Sequence, residues 1–198
     1  MTGYIEQPSL FSVSDVGGTY RTGATPSLEI SAALLEAWKQ RVFQYQKQVQ
    51  VTPIAQQGNL FEVGSSTANN SEPINPFELP PQNTEFWRWK ATDVGVAAFY
   101  FVIDYDLPIL LYVGETVKFN QRWKGEHDCK RYLLNYRQAH YTHHMPSRLG
   151  IAFWPDAPTQ TRHRQKIEST LIYKWRSPFN KENWEFWGTL FVGGKSSV

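Results

Sequence analysis

Ala98-Phe99-Tyr100-Phe101-Val102-Ile103-Asp104-Tyr105-Asp106-Leu107-Pro108-Ile109-Leu110-Leu111-Tyr112-Val113-Gly114 is the stretch that decides the fold. Two runs of β-branched and aromatic residues flank Asp106-Leu107-Pro108, and Gly114 closes the second, so the stretch predicts two strands folded back as a hairpin. Outward from it, Lys118 to Arg137 predicts a helix, Leu149 to Trp154 a third strand, and the segment carrying Glu168 a helix that stops before Pro178-Phe179-Asn180. The expected class is α+β: a small three-stranded antiparallel sheet flanked by helices, preceded by one helix and a largely disordered linker.

Charge is unevenly spread. Between residues 118 and 181 thirteen Lys/Arg stand against four Asp/Glu, a net of +9, whereas residues 1–90 carry six against eight. The basic block is interleaved with Trp123, Tyr132, Tyr136, Tyr141, Tyr173 and Trp175. That pattern is the electrostatic footprint of a nucleic-acid binder, with solvated helix faces as the plainer alternative. Lys118, Lys124, Lys130 and Arg131 are the candidate phosphate contacts beside the hairpin. Cys129 is the only cysteine, so no internal disulfide forms. No run is apolar and long enough to span a membrane, and a cytoplasmic, nucleoid-associated protein is expected.

The first half divides differently. Residues 1–24 are Gly-, Ser- and Thr-rich and predict little order. Pro26-Ser27 starts a predicted helix to about Val49, with Ile30, Leu34, Leu35, Trp38, Val42 and Tyr45 as its apolar stripe. One such helix cannot bury its own stripe, so it is expected to dock on the later domain. Gln56 to Gln82 reads as linker. The predicted division is therefore 1–85, a helix with flexible segments, and 86–198, the folded domain, with Phe86-Trp87-Arg88-Trp89 as an edge segment.

The hairpin and the elements after it resemble the GIY-YIG nuclease family. Ala98-Phe99-Tyr100 stands where the family has Gly-Ile-Tyr, and Tyr112-Val113-Gly114 where it has Tyr-Ile-Gly. Arg122, Glu168 and Asn180 fall at its remaining signature places. Gly114 and Arg122 are eight apart, and Glu168 and Asn180 twelve apart, similar to the family's excision-repair subunit. Ala98 replaces the first glycine, and the hairpin is one residue longer than is common in the family. The resemblance implies a DNA endonuclease in which Tyr100 activates or orients the attacking water and Tyr112 helps position it.

The residue chemistry can be read beside that resemblance. Glu168 is the only acid between Ala157 and Lys181, a carboxylate placed to hold one Mg²⁺ or Mn²⁺ that keeps most of its waters. Arg122 would grip the scissile phosphate bidentately, as Lys could not. Asn180 is read as holding the Glu168 helix or the hairpin through its amide. Gly114 allows a backbone conformation, or a close approach to DNA, that a Cβ would block. His127 is a candidate base, with a surface histidine as the commoner fact. Cys129, His140, His143 and His144 lack the spacing of a standard zinc site.

Two peptides, Gln7-Pro8-Ser9-Leu10-Phe11 and Gln57-Gly58-Asn59-Leu60-Phe61, share a Gln-x-x-Leu-Phe pattern. It resembles the peptide with which repair proteins bind the bacterial β sliding clamp: two apolar side chains for a pocket and a Gln amide for its rim. Gln7, Leu10, Phe11, Gln57, Leu60 and Phe61 are the candidate clamp contacts, against a plainer role in tucking onto the domain. The expectation is a clamp-recruited repair endonuclease for mismatched or branched DNA. A restriction-type or mobile-element endonuclease acting as a homodimer, and a non-catalytic DNA-binding module, are the alternatives.

Overall fold

The hairpin forms as strands β1 (Ala98–Asp104) and β2 (Ile109–Thr116), in a computed structural model that describes residues 30–52, 71, 73–82, 97–117 and 128–191. Its turn is nucleated by Asp104, whose Oδ1 accepts the N–H groups of Asp106 at 3.0 Å and Arg148 at 2.8 Å. β3 (Leu149–Trp154) pairs antiparallel with β1, giving the order β2-β1-β3. The fold is thus α+β, with a small three-stranded antiparallel sheet. β1 lies in the centre and is buried along its whole length, which explains its unbroken apolar run.

The register between β1 and β2 is not uniform. Asp104 faces Ile109 and Ile103 faces Leu110, but Val102 faces Tyr112 and Tyr100 faces Gly114. Leu111 is therefore an extra residue on β2, a β-bulge.

Four α-helices lie among the described residues: α1 (Ala32–Gln46), α2 (Asp128–Thr142), α3 (Thr161–Trp175) and the single turn α4 (Trp184–Trp187). α1 begins at Ser31, later than the predicted Ser27 start. The Ser31 hydroxyl accepts the N–H of Leu34 at 3.2 Å and caps the first turn. α2 runs to Thr142 rather than Arg137; residues 118–127 of that predicted helix lie outside the described residues.

α1 docks in cis. Leu35, Trp38 and Val42 join Tyr100, Val102 and Leu111 of the sheet, Tyr132 and Tyr136 of α2, and Phe179, Trp187 and Phe191 in one core. Each such buried side chain contributes roughly 1.5–3 kcal/mol. The apolar stripe differs from the predicted one, because Leu34 is 48% exposed whereas Lys39 and Gln46 are buried. α3 covers the opposite face, where Ile167, Leu171, Ile172 and Trp175 meet Phe99, Phe101, Ile103, Leu110 and Val113.

Part of the predicted linker is also packed. Ile74 is buried, Phe77 meets Trp175 edge-on with ring centroids 5.5 Å apart, and Gln82 bridges to Ile151 through bonds of 2.7 and 2.9 Å. Gln82 thereby covers the outer edge of β3, which would otherwise expose unpaired backbone groups. The Pro- and Asn-rich composition concealed these apolar anchors. The predicted boundary at residues 85 and 86, and the Phe86-Trp87-Arg88-Trp89 segment, lie outside the described residues. Among the described residues no helix is long and apolar enough to cross a membrane.

Candidate active site

The bulge at Leu111 decides which face of the sheet Tyr112 occupies. Side chains alternate along a strand, and a one-residue change in register turns them to the other face. Continued without the bulge, the register of Asp104–Ile109 would set Tyr112 opposite Phe101, on the face of α3. With it, Tyr112 lies opposite Val102 and beside Tyr100, their ring centroids 5.9 Å apart at an interplanar angle of 29°. The two phenols are hydrogen-bonded. Tyr100 is fully buried, whereas Tyr112 is partly exposed.

Gly114 is required by Tyr100. A Cβ at this position would collide with Cε1, Cζ and Oη of the Tyr100 ring, which rests on the glycine backbone. Gly114 is itself buried, and its backbone does not lie in the left-handed region. A special backbone conformation does not account for it. A seat for the neighbouring phenol does.

Asn180 holds the strand between these two positions. Its Oδ1 accepts the N–H of Val113 and its Nδ2 donates to the Val113 carbonyl, both at 2.9 Å. The Ser177 hydroxyl donates to the same Oδ1 at 2.6 Å, and the Phe179 N–H donates to the Leu111 carbonyl at 2.9 Å. The carboxamide thus stands in for a neighbouring strand on the open edge of β2. α3 ends at Arg176 in the left-handed conformation, and the turn there delivers residues 177–180 to that edge. Asn180 is a positioning residue, bonded to the hairpin rather than to the helix of Glu168.

Glu168 lies on α3 and is partly exposed. Tyr112 packs on the other face of the sheet, beside Tyr100. Burial pushes its phenol well above the usual tyrosine range, and the charges that Tyr100, Cys129 and Glu168 can carry push it further. In the chain as it stands Tyr112 remains a neutral phenol at neutral pH, able to orient water but not to remove its proton. The other nearby carboxylate, Glu115, is engaged by the buried guanidinium of Arg164 at 2.5 Å. Arg164 also donates to the carbonyls of Pro158 and Thr159, both at 3.0 Å. Glu168 remains the candidate metal carboxylate, on α3.

The other candidates separate. Lys130 and Arg131 stand in the first turn of α2, Arg131 bonded to Asp128 at 3.2 Å and lying over the Tyr132 ring. Burial lowers the Lys130 pKa. An exposed pair such as Arg131–Asp128 is weak, so phosphate can compete for the guanidinium. His140 Nδ1 lies 2.8 Å from the Tyr136 carbonyl, and His143 contacts the carbonyl of Ile30. Among the described residues no three His, Cys, Asp or Glu converge as a metal site. Arg122, His127, Lys118 and Lys124, and all six clamp-peptide residues, lie outside the described residues.

Comparisons with protein-family models, with curated proteins and with solved structures give no match. The chemistry of the site rests on its own geometry.

Sequence reading missed Arg164, Ser177 and Gln46. Arg164 stands one helical turn before Glu168, a spacing at which paired charges are visible. Its partner, however, is across the sheet rather than on the helix.

Proposed function

We propose that the chain is a metal-dependent DNA endonuclease with a GIY-YIG-like domain. The observation that carries this reading is the bulge that sets Tyr112 beside Tyr100, on a strand tied by Asn180. Tyr100, Tyr112 and Asn180, separated by up to 80 positions, come together there, and with Glu168 on α3 they are the described catalytic candidates of the sequence constellation.

The donor set suits a hard cation. One partly exposed carboxylate, with Glu115 already neutralised by Arg164, fits Mg²⁺ or Mn²⁺ with water completing the shell. When bound, such an ion acidifies a water and stabilises the phosphoryl oxygens. Glu168 holds it, and Tyr112 orients the attacking water through its neutral hydroxyl. Tyr100 fixes the Tyr112 ring, and Asn180 fixes the strand. Arg122 binds the scissile phosphate, and the basic residues of α2 and α3 bind flanking phosphates.

The two Gln-x-x-Leu-Phe peptides add a partner to the reading: recruitment by the sliding clamp to mismatched or branched DNA, where tethering raises local concentration. Purified clamp should bind the wild type more tightly than Leu10→Ala/Phe11→Ala or Leu60→Ala/Phe61→Ala. Equal affinity in all three would remove the clamp from the account.

The enzymatic reading is tested with labelled intact plasmid, mismatched duplex, flap and four-way junction, each with Mg²⁺, Mn²⁺ or chelator. Cation-dependent cutting of a structured substrate is the expected result. Discrete fragments from intact plasmid would move the assignment to a sequence-specific enzyme.

A further inference from the structure

We infer that Gln46, at the end of α1, is a positioning residue that locks the β2 bulge and so keeps Tyr112 beside Tyr100. The inference rests on the nuclease reading for its function but not for its geometry.

Gln46 is 3% exposed, and its carboxamide makes three bonds. Oε1 accepts the N–H of Leu110 at 2.7 Å, and Nε2 donates to the carbonyls of Leu110 and Trp175, both at 2.9 Å. The first two reproduce at Leu110 what Asn180 does at Val113. Two carboxamides from distant parts of the chain therefore pair with the same open strand edge, on either side of Leu111 and Tyr112.

Their separation carries the argument. In a regular strand, residues whose N–H and C=O both point to one edge recur every second position. Leu110 and Val113 are three apart. Both clamps can be satisfied together only when one extra residue lies between them. Gln46 is fixed by α1, whose Trp38 and Val42 are anchored in the core. Asn180 is fixed by Ser177 and the end of α3. The pair thus admits the bulged register and excludes the regular one, in which Tyr112 would face Phe101 and leave Tyr100.

The Trp175 bond extends the lock. Through one carboxamide Gln46 joins the N-terminal helix, β2 and the last residue of the helix that bears Glu168. The N-terminal helix becomes part of the catalytic apparatus without touching substrate.

The test compares the full-length wild type with Gln46→Ala and with Gln46→Met, which keeps the volume but removes the bonds. Cross-strand NMR contacts read the register directly. The wild type should show Val102–Tyr112 contacts. The variants should weaken them, gain Phe101–Tyr112 contacts, and lose kcat by about 10²-fold with KM within about twofold, as misplacement of a positioned group does. A residue that only stabilised the docked helix would lower the melting temperature and leave these contacts intact. Unchanged Val102–Tyr112 contacts in either folded variant would overturn the inference.

If neither variant folds, amide exchange in the wild type decides. Leu110 should be protected as strongly as Val113, and rapid exchange at Leu110 would overturn the lock. A register change in variants of a wild type that cuts no DNA would sustain the lock and sink the nuclease reading, so the two failures are distinguishable.

Discussion

Asp104→Ala is expected to destabilise the folded unit by about 3–5 kcal/mol, the range for removing one partner of a buried ion pair. Asp104 is fully buried and its carboxylate serves four groups. Oδ2 accepts the Tyr136 hydroxyl at 2.7 Å and lies 3.3 Å from Lys39 Nζ; Oδ1 accepts the Asp106 and Arg148 N–H groups. Alanine leaves Lys39, with its side chain only 3% exposed, facing Asp106 at 3.8 Å and the Pro146 carbonyl at 3.3 Å. That is too little to compensate a buried ammonium. The same substitution frees the Tyr136 hydroxyl and loosens the hairpin turn. Denaturant unfolding measures the loss, and Asp104→Ala/Lys39→Met should recover part of it, because the stranded charge is gone. A loss below about 1 kcal/mol would mean that this network is worth no more than an exposed pair.

Gly114→Ala is expected to lower cleavage by at least about 10²-fold while costing only about 1–3 kcal/mol of stability. The new methyl would occupy the place of the Tyr100 ring, and the backbone of β2 cannot retreat, because Asn180 holds the adjacent Val113 on both its N–H and C=O. The ring must move, and with it the stack and hydrogen bond that orient Tyr112. Single-turnover rates, with aromatic NMR signals of Tyr100 and Tyr112 as a structural control, separate this from global unfolding. A folded Gly114→Ala protein cutting at the wild-type rate would show that the placement of Tyr100 is immaterial.

Much of the fold was legible because its signals are local. The β1–β2 hairpin, β3 and α3 follow from alternating apolar runs, turn residues and helical spacing within windows of a few residues. The bulge was not legible. Its place is set by Gln46 and Asn180, 64 and 67 residues away from the groups they bond. The α1 stripe erred for a related reason. Hydropathy put Leu34 inside and left Lys39 and Gln46 outside, whereas Asp104, Leu110 and Trp175 supply the partners that make burying those polar groups favourable. Glu168 stood out as a lone acid in a basic run, and the fold places it on α3. The pairing of Glu115 with Arg164 was not legible, because it depends on Arg164 reaching across to the end of β2.

The most direct measurement is single-turnover cleavage of the labelled DNA panel by the full chain and by Glu168→Ala, with Mg²⁺ and with chelator. Glu168→Gln serves as a folding control of nearly equal volume. The account expects cation-dependent cutting by the wild type that falls by about 10²–10³-fold in Glu168→Ala, the scale for losing one electrostatic stabiliser of the transition state. Equal rates for the two proteins, or no cutting of any substrate by the wild type with either Mg²⁺ or Mn²⁺, would contradict it.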